Sequence, residues 1–284
     1  MTQPPASPDT ALPSNPPLLP SGWIQPTLGA GVGALMTARA GGLGTGPYGS
    51  CNLGDHVGDE PEIVAGNRAR VAALTGARPV WLKQVHGNRV VRLTGEHVGA
   101  VQPEADGALC TEPGVACVVM VADCLPVLLA APQGRGVAAL HAGWRGLAGA
   151  GEMAGKGILE TGLAALCDAT GCDPGDVRAW LGPCIGPSVF EVGEDVLTAF
   201  GVDPAEAHPR FVPRPAHADD ETPRWLADLA GLARDRLMTL RMADDRIGGG
   251  RWCTVSAPSR FFSFRRDAGR TGRQAACIWL QGDA

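Results

Sequence analysis

Two histidines and a cysteine stand where apolar runs give way to polar residues. His86 lies in Gln84-Val85-His86-Gly87-Asn88, Cys124 follows Val118-Val119-Met120-Val121-Ala122-Asp123, and His141 closes Val137-Ala138-Ala139-Leu140. Strand ends gathered at one edge of a sheet are where sites are commonly built. Two imidazoles and a thiolate make a zinc shell with a fourth position open to water, and a metal so held activates water at neutral pH. The same residues support a second chemistry, with Cys124 as nucleophile and His86 or His141 as its base. They also have a purely structural reading as packed core side chains. Spacing alone does not separate these, since neither HxxxH nor CxxC occurs.

Other residues qualify as helpers. Asp123, beside Cys124, can orient a ligand histidine or carry a proton. Arg39 precedes Gly41-Gly42 and sets a fixed cation beside a flexible loop, which suits phosphate. Arg265 and Arg266, with Arg270 and Arg273 nearby, form a second cationic group. Gln84 is a candidate for proton transfer or base recognition. His56 offers a further ligand, although its setting, Asn52-Leu53-Gly54-Asp55-His56-Val57-Gly58-Asp59, reads as a structural loop. The segment Gly182–Pro187 is rich in turns and suited to lining a pocket. His97, His208 and His217 have polar or Pro-rich neighbours and read as surface residues.

The elements that must position these residues follow from periodicity and breakers. Strands are expected at 33–39, 80–84, 89–93, 115–121, 126–130, 136–141, 179–181 and 275–280. The pair 80–84 and 89–93 reads as a hairpin turning at His86-Gly87-Asn88. Helices are expected at 61–75, from Trp144 to about Ala169, at 194–200 and at 224–241. Mixed hairpins and crossovers predict an α+β fold, a mixed-sheet α/β sandwich with its site at strand ends, and not a doubly wound sheet. Residues 1–21, rich in Pro and Ser, are expected to be a disordered tail on a single catalytic domain, 22–284.

The chain has 284 residues, 45% of them apolar, which suffices for a substantial core. A net charge of −5 without a basic stripe argues against nucleic acid as a partner. No apolar run is long enough to cross a membrane, and no signal peptide is recognisable. The nine cysteines fit no disulfide framework, so reduced thiols and a cytoplasmic location are expected. A monomer or weak homodimer is expected.

Several strings together resemble the YfiH family, described both as multicopper, laccase-like polyphenol oxidases and as purine nucleoside phosphorylases. They are Thr37–Gly42, GPYGSCNLGDHVGD (46–59), QVHGNRV (84–90), ADG (105–107), ADCLPVLL (122–129), HAGWRG (141–146), LGPCIGP (181–187) and SFRRDAGRTGRQAACIWL (263–280). Departures are Cys51, where the family often has Ser, and Ala34-Leu35-Met36, where it usually has aromatics. The resemblance implies a zinc site at His86, Cys124 and His141. It also implies phosphorolysis of adenosine, inosine, guanosine and S-methyl-5′-thioadenosine, with adenosine deamination, so that purine nucleosides and inorganic phosphate are the partners. The alternatives are a copper-dependent polyphenol oxidase and a metal-free Cys–His hydrolase. A multicopper centre needs many histidines, commonly in HxH pairs. The chain has six and no HxH.

Overall fold

The central strands are apolar on both faces because each separates two cores. In the strand Val115–Val121, Val115, Cys117, Val119 and Val121 face one hydrophobic cluster, while Ala116, Val118 and Met120 face another. Period-2 alternation between two buried faces produces such an unbroken apolar run. The computed structural model describes residues 18–215 and 222–282. The expected tail therefore lies mostly outside the described residues, as does His217. Leu19 and Pro20, within the expected tail, are half-buried, and Leu19 packs against the outer cluster.

In chain order the strands are β1 (Val32–Met36), β2 (Arg78–Val80), β3 (Val90–Leu93), β4 (Gly107–Cys110), β5 (Val115–Val121), β6 (Leu125–Ala130), β7 (Val137–Ala142), β8 (Arg178–Leu181), β9 (Glu191–Val192), β10 (Phe211–Arg214), β11 (Arg224–Ala227), β12 (Ile247–Gly249) and β13 (Gln274–Leu280). The helices are α1 (Pro61–Thr75), α2 (Trp144–Ala148), α3 (Ile158–Thr170), α4 (Glu194–Ala199) and α5 (Leu229–Thr239).

A four-stranded sheet, β1-β13-β5-β2, packs on a six-stranded sheet, β12-β8-β6-β7-β4-β3, and a small sheet, β10-β11-β9, stands apart. Both large sheets mix parallel and antiparallel pairs. Leu128, Ala139 and Val119 fill the space between them. Val71 of α1 packs on the outer face of the smaller of these sheets, with Ala275 and Cys277. On the outer face of the larger, Val127 of β6 and Leu140 of β7 share a cluster with Leu163 of α3 and Leu232 of α5. Each such side chain removed from water contributes about 1.5–3 kcal/mol. The architecture is the mixed α/β sandwich that the pattern predicts.

Three local expectations are corrected. The segments around His86 do not form a hairpin: β2 pairs in parallel with β5, and β3 pairs in parallel with β4 in the other sheet. Their connection crosses from one sheet to the other. The helix expected from Trp144 to about Ala169 is two, α2 and α3. They are separated by a segment in which Gly149, Gly151 and Gly155 take φ of 70°, 66° and 80°, a region that glycine enters without the cost other residues bear. The helix expected at 224–241 begins with a strand, β11, because Trp225 and Ala227 alternate inward with period 2. Asp228 then caps α5 by accepting from Gly231 N at 2.9 Å.

Candidate metal centre and cavity

His86 and Cys124 occupy two of the connections at which the chain passes between the large sheets, β2 to β3 and β5 to β6. His141 sits near the end of β7. The three come together. Their ligand atoms lie within 4.8 Å of one another, and theirs is the single such group of His, Cys, Asp or Glu among the described residues. Cys124 Sγ is 3.9 Å from His86 Nε2. The two imidazole rings stand edge to face, 4.8 Å between centroids and 81° between planes. Two donors on one tetrahedral zinc are roughly 3.3–3.8 Å apart, so this spacing is close to that of a shared ion.

A buried carboxylate that the sequence reading did not single out holds the arrangement. Asp106 is fully buried. Its Oδ1 lies 2.7 Å from His141 Nδ1, and its oxygens accept from the backbone N–H groups of Val85 (3.1 Å), His86 (2.8 Å) and Gly87 (2.7 Å). The bond to Nδ1 fixes the tautomer of His141 and leaves its Nε2 for a ligand. The three N–H bonds hold His86 at φ 63°, a left-handed conformation that costs a non-glycine residue about 1–2 kcal/mol. Burial alone would raise the Asp106 carboxyl, but the His141 contact and these N–H donors outweigh it and keep it ionised.

The electrostatics favour a thiolate. Burial opposes ionisation of Cys124, yet the charge of His141 and hydrogen bonds from both histidines bring its thiol down to about 6. Burial likewise opposes charge on His141, and Cys124 and Asp106 together raise it to about 9. Glycines let the elements close around the donors. A Cβ on Gly143 would sit 3.0 Å from His86 Cδ2 and 3.1 Å from Cys124 Sγ, and one on Gly146 would sit 2.8 Å from the Gly87 carbonyl oxygen. Two imidazole nitrogens and a thiolate of depressed pKa, within reach of one ion and fixed from behind by a carboxylate, are a donor set that fits zinc.

The cluster opens into a cavity of about 560 Å³. Trp144, Phe190, Phe264, Ile185 and Met120 supply apolar wall, and Arg265 and Arg273 supply charge. Ile185 comes from the turn-rich 182–187 segment and is held by its N–H to Asp123 O at 2.8 Å.

The other expected site residues are placed as follows. Asp123 does not orient a histidine; that position belongs to Asp106. Its carboxylate accepts from Thr254 Oγ1 (2.5 Å), Ser263 Oγ (3.0 Å) and Arg265 N (2.6 Å), and so anchors the 263–265 segment to the cavity edge. Gln84 lines the cavity, but its amide pairs with Met120, donating to the carbonyl at 2.9 Å and accepting from the N–H at 2.8 Å. Arg39 is outside this cavity; it donates to Gly49 O at 2.8 Å and borders a separate depression with Ser50 and Ser259. Arg266 is also outside, committed to Asp267 and to the carbonyls of Thr254 and Phe261. Of the expected cations, Arg265 reaches the cavity, and Arg273 joins it. His56 is not part of the three-donor group but lines the same cavity. Its neighbour Asp55 is held below the usual carboxylate range: burial raises it, and the bond from Gln102 and the charge of Arg68 more than offset that.

Known proteins share both the sequence and this architecture. A family model described as multi-copper polyphenol oxidoreductase laccase matches residues 33–281. The Escherichia coli protein named purine nucleoside phosphorylase YfiH is 44% identical over 260 residues, covering 91% of this chain and 96% of its own. A Pseudomonas aeruginosa protein named purine nucleoside phosphorylase PA4543 is 42% identical over 261 residues, 91% of this chain and 98% of its own. Among solved structures, Neisseria meningitidis NMB0706 superposes with a TM-score of 0.80 at 40% identity, covering 92% of this chain and all of that one. No helix of the described residues is long and apolar enough to cross a membrane. Sequence along nearly the whole length and the same sandwich in three dimensions place the chain in the YfiH family.

Proposed function

We propose that the protein is a zinc-dependent purine nucleoside phosphorylase that splits adenosine, inosine, guanosine and S-methyl-5′-thioadenosine into free base and the sugar 1-phosphate, and that it also deaminates adenosine. The observation that carries this reading is the His86–Cys124–His141 group opening into a cavity with apolar walls and two arginines. The names of its relatives support it. The cavity volume is within the range for small-molecule sites, and flat aromatic walls suit a purine.

His86, Cys124 and His141 would hold the zinc, which when bound supplies Lewis-acid polarisation. Arg265 and Arg273 are the groups placed to take phosphate and screen its charge. Arg273 is steadied by donating to the carbonyls of Thr271 and Gly272, both at 3.1 Å, and Arg265 by the Glu191 carbonyl at 3.1 Å. Asp123 acts by positioning Arg265. One three-donor group among the described residues suits a single zinc better than a multicopper centre.

Metal analysis combined with adenosine turnover tests the proposal. Stoichiometric zinc, and adenine released only when phosphate is present, are expected. Absence of any change to a purine would remove the nucleoside reading. His86→Ala should lose zinc and activity together, and stoichiometric zinc in a folded His86→Ala protein would overturn the ligand assignment. A second reading, a metal-free Cys–His hydrolase, draws on the depressed thiol of Cys124; it requires that chelators leave activity intact and that Cys124 be alkylated rapidly.

A further inference from the structure

Phosphorolysis of a purine nucleoside needs a proton as well as a nucleophile. When the C1′–N9 bond breaks, its electron pair moves into the purine, and protonation at N7 during departure lowers the barrier. The cavity side chains that carry or accept protons can be followed to their partners. Both oxygens of Asp123 are occupied by Thr254, Ser263 and Arg265 N. Gln84 is paired with Met120, and Lys83 is paired with Glu104 at 2.9 Å. Gln102 donates to Asp55 at 2.6 Å, and Asp55 also faces Arg68 at 3.2 Å.

His56 differs from all of these. Its Nδ1 faces Asp55 Oδ1 at 3.4 Å, its side chain is 58% exposed, and it lines the cavity. With Nδ1 turned to a carboxylate, Nε2 is the atom left for a substrate. The loop that carries it is firmly set. Asn52 Nδ2 donates to Gly54 O and Asp59 Oδ2, its Oδ1 accepts from Gly54 N and Arg273 N, and Tyr48 donates to Val57 O at 2.7 Å. The stem of Arg273 lies against Gly54, where a Cβ would be 2.8 Å from Arg273 Cγ. One hydrogen-bonded loop thus carries an imidazole to the cavity and buttresses a guanidinium from the segment before β13 at the same cavity.

We infer that His56 is the general acid of the proposed phosphorolysis, donating from Nε2 to purine N7, with Asp55 as its positioning residue. The assignment rests on the functional reading above. In the step, an oxygen of HPO₄²⁻ forms the bond to C1′, the C1′–N9 bond breaks, and the electron pair is taken up by the purine as N7 receives the His56 proton. The proton that HPO₄²⁻ gives up on becoming a sugar phosphate ester restores the imidazolium, so the cycle closes without any other reactant.

The test compares guanosine with 7-methylguanosine, whose N7 is already alkylated and whose base leaves without protonation. The zinc-loaded wild type, His56→Ala and His56→Gln are each assayed with inorganic phosphate. Both variants should keep the wild-type zinc content and lose about 100- to 1000-fold in kcat on guanosine, while turnover of 7-methylguanosine stays within about threefold of wild type. Asp55→Asn should show a smaller loss with the same selectivity. Equal losses on both nucleosides, or undiminished turnover of guanosine by His56→Ala, would overturn the assignment while leaving the phosphorylase reading in place. A wild type that releases no base from either nucleoside would overturn that reading, and this one with it.

Discussion

Asp106 receives three backbone N–H bonds from residues 85–87 and faces the Nδ1 of His141, so one carboxylate fixes two of the three proposed ligands. Asp106→Asn replaces an oxygen acceptor with an NH₂ group, which must then oppose either those N–H donors or the ring. Metal affinity should fall about 10- to 100-fold, measured by competition with a chelating dye, and an unchanged affinity would refute the role. The thiol of Cys124, at about 6, is already ionised at pH 7.5, whereas His141, at about 9, still carries its extra proton. An arriving cation must displace it. Binding at pH 7.5 should therefore release about one proton from this pair, and below pH 6 about two, with affinity falling as pH drops. Calorimetry in buffers of different ionisation enthalpy reads this directly; no release at pH 7.5 would contradict it. His86, Cys124 and His141 are legible in the sequence as polar residues at the ends of apolar runs, and it is the resemblance to the YfiH family that selects a zinc site among their possible chemistries. Asp106 is not, since its importance depends on partners 19 to 35 residues away. Arg39 and Arg266 resemble phosphate ligands in sequence, but carbonyls and Asp267 claim them in the fold.

At the level of elements, the site depends on how closely α2 approaches the connection bearing His86. Gly146→Ala would favour the helix by about 0.5–1 kcal/mol. The added carbon, however, would meet the Gly87 carbonyl at 2.8 Å, tighter than such contacts allow, and a backbone oxygen held by the Asp106 network yields poorly. The expected result is a folded protein with metal affinity lowered about tenfold, a loss comparable to that from disturbing a ligand's supporting contacts. Wild-type affinity in this variant would show that the turn is free to move. The same connection explains why the flanks of His86 imitate a hairpin in sequence. Two short apolar runs around His-Gly-Asn satisfy the hairpin pattern, and nothing local tells the chain that β2 and β3 belong to different sheets. Likewise Arg224–Ala227 carries residues compatible with a helix, and only the inward alternation of Trp225 and Ala227 against β9 and β10 makes it a strand. The buried strands β5, β6 and β7 are legible because their apolar runs are short, bounded and too uniform for an exposed face.

Across the molecule, the proposed ligands come from two of the crossovers between sheets and from the end of β7, so a bound ion ties the halves of the sandwich together. Ligand present at a hundred times its Kd should stabilise the native state by about 2.7 kcal/mol. Thermal melts with zinc and with a chelator should differ by several degrees in wild type and coincide in His86→Ala. A zinc-dependent rise that survives in the variant would place the ion elsewhere. The fold class itself is legible because mixed connections and doubly buried strands admit few arrangements other than stacked sheets covered by helices.

The order of strands in the smaller of the two large sheets has a consequence for the protein during its synthesis. β13 lies between β1 and β5, and Ala275 N bonds Thr37 Oγ1 across 238 positions of chain. On a ribosome, β1 emerges before the other strands and finds no neighbour in its sheet until β13 follows. The nascent chain must therefore expose the edge of β5 and the apolar face of β1 until β13 has been made, and chaperones that shield such edges have a long window on this protein at that sheet.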